Sequence, residues 1–195
     1  IAYIMGLSIG VHLLNLLCIP AIVMVYYYKK SNNPTRKGGL LSLLLSFGLI
    51  LILMYGIIPG FTKVGGWFEL FFVNTLGMSY NSGVIAYLLL LVASTIWALL
   101  ESLSDRGDMK RARIAFLLSI GLAGILFIGN SVWLWLLLIG TAIYLVFTGN
   151  RMNFKFINLS MSSLLVILIG FSAYAIIPIR SSANPPLDLN SPEDI

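Results

Sequence analysis

The chain has 195 residues, of which 59% are apolar and 10% charged, with a net charge of +5. Soluble domains carry about 25% charged residues, so a soluble globular enzyme, a disordered tail and a nucleic-acid-binding domain are excluded. An all-helical, polytopic membrane protein remains, and its lipid bilayer is its first partner.

The first residue is Ile1, and an apolar stretch begins at once, with no basic segment ahead of it. The chain stops in a polar run, Pro192 to Ile195. Both ends are expected to be internal to a longer protein whose remaining helices complete the bundle.

The first uncharged run, 1–28, ends at Lys29 and Lys30 and predicts one span. His12 lies near its middle. An imidazole there needs a partner, so it is expected to face the bundle interior. Asn15 and Ser8 share its helix face. Two readings stand: His12 and Asn15 bind substrate or brace it, or they make an interhelical hydrogen bond. Cys18 is the one cysteine, so no internal disulfide forms, and it is expected to be a buried thiol.

The second span is expected at 39–60. The stretch 61–82 then reads as an outer loop in which Trp67, Phe68, Phe71 and Phe72 form one helical stripe, predicting a short helix in the interface plane. Glu69 is the acidic residue of that loop. On residues alone it is a solvated side chain, or it orients a sugar hydroxyl beside a lipid-linked substrate.

The third span is expected at 83–100. The inner loop 101–113 mixes signs and reads as a solvated turn. Residues 114–150 are 37 uncharged residues. One helix of that length would be about 55 Å long, more than one crossing. Asn130-Ser131 divides it into spans at 114–129 and 132–148. The last span is expected at 157–179, ending at Pro178. Residues 180–195 open a Pro-rich outer segment, where the prolines forbid a continuing helix. Arg180, at the outer end of that span, is placed to bind a phosphate bidentately or to snorkel to the headgroups.

Six crossings put 10 of the 12 Lys and Arg residues on one side, leaving Lys63 and Arg180 opposite; a single crossing over 114–150 gives 9 to 3. The positive-inside rule therefore favours the hairpin and turns the basic loops to the cytoplasm. No inverted repeat appears. No nucleotide-binding or zinc-protease motif and no Cys/His cluster appears, so no cofactor and no metal are expected. Asn158-Leu159-Ser160 matches a sequon but starts a span on the inner side.

Three segments carry a resemblance: GLSIGVHLLNLLCIPA at 6–21, FELFFVNTLGMSYNSG at 68–83 and IPIRSSANPPLDLNSPED at 177–194. Together they resemble a bacterial multi-pass membrane family catalogued as a domain of unknown function. That family is related to the protein O-mannosyltransferases of the GT-C glycosyltransferase class. The chain departs from its pattern at Met78-Ser79-Tyr80, where the family more often has Leu-Pro-Phe. The resemblance implies a membrane bundle in the bacterial cytoplasmic membrane with an outward active site. It implies transfer of a sugar from a polyprenyl-phosphate carrier to a protein or other acceptor. The class places its catalytic carboxylate in the first outer loop, upstream of Ile1, so no catalytic residue is assigned here. Arg180 would then meet the carrier phosphate, Glu69 would line the acceptor side, and His12 and Asn15 would contact substrate. A transporter or channel fragment and a non-catalytic scaffold are the alternatives.

Overall fold

A computed structural model describes residues 2–149, 152–181 and 183. Among them every regular element is a helix. The chain divides into two compact units, residues 1–18 with 163–195, and residues 19–162.

In the larger unit, α2 (Ile19–Lys30) ends at its two lysines, and Pro34 bars it from continuing. Thr35 then caps α3 (Arg36–Ile52), its hydroxyl accepting from the Gly38 N–H at 3.1 Å. The helix does not stop at residue 60. A π-helical turn (Leu53–Ile57) leads into α4 (Ile58–Leu70), and a second π turn (Phe71–Thr75) follows. Pro59 has no N–H to give, and the wider turn before it, in which the Ile58 N–H reaches Leu53 O, lets the helix pass that proline.

The expected outer loop 61–82 is therefore mostly helix, and residues 76–81 alone are not. Trp67, Phe68, Phe71 and Phe72 lie on the continuation of the second long helix, not on a separate in-plane one. Arg36–Thr75 covers 40 residues, about 60 Å at 1.5 Å per residue. The uncharged run predicts an end near residue 60, but the helix continues through Lys63 and Gly65-Gly66 to Thr75, and Gly77, with a φ of 67°, then turns the chain away.

Helix α5 (Ser82–Leu103) buries Gly83, Tyr87, Leu91, Ser94, Thr95 and Ala98, a single helical stripe. It faces α6 (Met109–Leu122), which buries Ala112, Ala115, Phe116 and Ser119. Small residues on both sides allow close approach, and Ser119 Oγ donates to Ser94 Oγ at 3.1 Å. Asp108 caps α6, accepting from the Lys110 N–H at 2.8 Å. Residues 123–131 then connect to α7 (Val132–Thr148), so two helices occupy the run 114–150. Helix α8 (Phe154–Phe171) follows and buries Ile157 and Met161.

In the smaller unit, α1 (Ala2–Val11) is followed by a 3-10 turn (Leu13–Cys18). The first span is thus interrupted at His12, which lies in neither element. Gly6 and Gly170 let α1 and the end of α8 meet backbone to backbone. A 3-10 turn (Ser172–Ala175) and α9 (Ile176–Ser181) complete this unit. Pro178 does not end the helix: it is the third residue of α9, where no intrahelical N–H bond is needed. Cys18 is exposed, not buried, because its turn presents it outward; its Sγ lies 3.9 Å from Met5 Sδ. Arg151 and residues 184–195 lie outside the described residues.

Among the described residues, three helices are long and apolar enough to cross a membrane: Arg36–Thr75, Ser82–Leu103 and Phe154–Phe171. Helix α7 is apolar but shorter, and α6 has 14 residues. Their outer faces carry exposed Leu, Ile, Phe and Trp side chains, as lipid contact requires.

Candidate functional site

His12 is exposed, contrary to the expectation that it faces the bundle interior. Its partner is its own backbone. Nδ1 accepts from the Leu14 N–H at 3.2 Å. Asn15 Nδ2 donates to Ser8 O at 3.2 Å, across seven residues. The backbone carries the remaining load: the His12 N–H reaches Ser8 O at 2.9 Å and the Asn15 N–H reaches His12 O at 3.0 Å. His12 and Asn15 therefore patch an α-to-3-10 transition, and among the described residues neither makes the interhelical bond of the second reading. In hydrocarbon, freed backbone groups are costly, and side chains that satisfy them locally permit a broken helix.

Glu69 sits on α4 and is also taken up by backbone. Oε1 accepts from the Asn81 N–H at 2.6 Å and Oε2 from the Val84 N–H at 3.0 Å. Asn81 is the N-cap of α5, has φ 68°, and makes no side-chain cap bond of its own. A carboxylate from the preceding helix thus supplies the cap and lies at the positive end of the α5 dipole. Gly83 makes this approach feasible, because a Cβ there would meet the α4 backbone at Phe68 and Glu69.

Arg180 is exposed in the last turn of α9, and among the described residues its guanidinium has no hydrogen bond or ion pair. His12, Asn15 and Arg180 belong to the smaller unit and Glu69 to the larger.

Sequence reading missed three polar anchors. Lys63 Nζ donates to Asn130 Oδ1 at 3.0 Å, to Phe127 O at 3.4 Å and to Gly129 O, and lies 4.9 Å from the Trp135 ring centre. Trp135 Nε1 donates to Ile128 O at 3.1 Å, and the rings of Trp67, Phe127 and Trp135 meet edge to face. Arg113 donates from its two terminal nitrogens to Phe147 O and Met152 O, both at 3.1 Å, closing the C-terminal end of α7. Glu101 accepts from the Asp108 N–H at 3.0 Å and pairs with Arg111 at 4.0 Å, so the inner loop is bound together by one acid rather than being only solvated. The available signal was that Lys63 is a lone cation in a long apolar stretch.

No group of three His, Cys, Asp or Glu able to hold a metal is present among the described residues. A family model described as the protein O-mannosyl-transferase TMEM260 N-terminal domain matches residues 1–35. No curated protein and no solved structure matches the chain. The match covers the first of the three resembling segments and the whole helix break at His12. At its short length it supports a glycosyltransferase-related membrane role.

Proposed function

We propose that the chain is the membrane portion of a GT-C-like glycosyltransferase of the bacterial cytoplasmic membrane. It moves a sugar from a polyprenyl-phosphate carrier to a protein or another acceptor. The observation that carries this reading is the family match over residues 1–35. The basic loops face the cytoplasm, and Arg180, whose guanidinium has no described partner, meets the carrier phosphate. Glu69 already accepts two backbone N–H bonds, so it would line the acceptor side only through its remaining lone pairs. His12 and Asn15 shape the break in the first span, with the second nitrogen of His12 left for substrate. No residue of 1–195 is assigned as the general base.

The test is label transfer by the full-length protein, from labelled polyprenyl-phosphate sugars into protein in a membrane extract. Transfer that is lost in Arg180→Ala supports the reading. Absence of transfer from a folded protein with a panel of donors overturns it.

The interruption at His12 favours a second reading, a transporter, because transport sites are built on discontinuous helices at mid-depth. Solute uptake into vesicles that depends on His12 and Asn15, without label transfer, would select it.

A further inference from the structure

We propose that the α2–α3 hairpin is a binding surface for anionic lipid headgroups. Lys29 and Lys30 end α2 and Arg36 and Lys37 begin α3; all four are exposed. No acidic residue occurs in the chain before Glu69. Among the described residues, an ion pair joins Arg111 to Glu101, far along the sequence. The basic loop 101–113 is different, since Glu101, Asp105 and Asp108 are interleaved with its cations. The hairpin is thus where uncompensated positive charge is concentrated.

Two of the four cations sit against a local electrostatic gradient. Arg36 and Lys37 occupy the first turn of a helix with no acid in that turn, where the macrodipole disfavours positive charge. An anion over the hairpin offsets both the dipole and the mutual repulsion of the cations.

The hairpin is also held in shape. Tyr27 Oη accepts from the Thr35 N–H at 3.1 Å and donates to Thr35 O at 3.4 Å. Any Cβ at Gly38 or Gly39 would collide with the hydroxyl ends of Tyr27 and Tyr28, respectively. Tyr26 and Tyr28 remain largely exposed beside the lysines. Exposed tyrosine rings next to cations at the end of an apolar helix match the polarity step of a bilayer interface. Charge complementarity therefore selects a headgroup layer of negative lipids, each nearby cation contributing to the attraction.

The experiment places a fluorophore on Ser31→Cys in a Cys18→Ser background of the full chain, reconstituted in phosphatidylcholine vesicles. Phosphatidylglycerol spin-labelled near its headgroup is then added, and quenching reports its local enrichment over the bulk fraction. Enrichment is expected, and is expected to fall about tenfold in the variant K29Q/K30Q/R36Q/K37Q. The charge-conserving variant K29R/K30R/R36K/K37R keeps it, as does K110Q/R111Q. Enrichment that survives neutralisation overturns the proposal. So does an equal loss in K110Q/R111Q, which would mean that total charge alone sets the lipid preference. Suppression by inorganic phosphate well beyond that by sodium chloride of equal ionic strength would also overturn it, assigning the hairpin to a free anion.

Discussion

Glu69 shows how much one side chain's meaning depends on what lies within 3 Å of it. As an acid in a polar, Gly-rich stretch it reads as a solvated side chain or as a group that orients a sugar hydroxyl; in the structure its two oxygens hold the first turn of α5. Replacing it with Ala removes both acceptors and the charge at the helix end, and about 1–2 kcal/mol of stability is expected to go with them. Thermal unfolding in detergent checks this, and faster exchange of the Asn81 and Val84 amides locates it. His12 makes a similar case. His12→Leu leaves the Leu14 N–H without its acceptor, so that amide is expected to exchange faster, with about 1 kcal/mol lost. An unchanged Leu14 amide would show that the imidazole does not hold the turn. That positions 12, 15 and 69 carry polar groups in largely apolar surroundings is legible in the sequence. That each serves the backbone was not, because the partner carbonyls and amides carry no side-chain signature.

Among elements, helix existence was legible and helix ends were not. The apolar runs marked α3, α5, α7 and α8, and Asn130-Ser131 lies at the end of the connection between α6 and α7. The uncharged run places the end of the second span near residue 60, but a π turn, invisible to hydropathy, carries the helix through Pro59. The crossing of α4 with the α6–α7 connection depends on Gly60 and Gly124, whose backbones touch; Gly124 has φ 80° as well. Gly124→Ala adds a methyl against the Gly60 backbone in a left-handed conformation, and a loss of about 3 kcal/mol or more is expected. Gly48→Ala, with open space around it, is the control and should leave the unfolding temperature near its starting value. Arg113 ties α6 to the end of α7 through two separate carbonyls. Arg113→Lys cannot reach both in the same geometry. Increased exchange near Gly149 is the expected outcome, and unchanged protection there would remove Arg113 from this role.

For the whole molecule, composition was enough to read a helical membrane protein, since 59% apolar residues leave no soluble alternative. Orientation is a separate matter and is tested by labelling. In a Cys18→Ser background, Ser31→Cys is expected to react from the cytoplasmic side and Ser79→Cys from the outer side. Reaction of both from one face would refute the orientation derived from the basic loops. The Glu69 cap has a further consequence, in the order of synthesis. The carboxylate leaves the ribosome twelve residues ahead of Asn81, the first amide it binds. When the opening turn of α5 emerges, its acceptor is already in place on a finished helix. The hairpin of α4 and α5 can therefore enter the bilayer together, with the leading end of the later helix already satisfied.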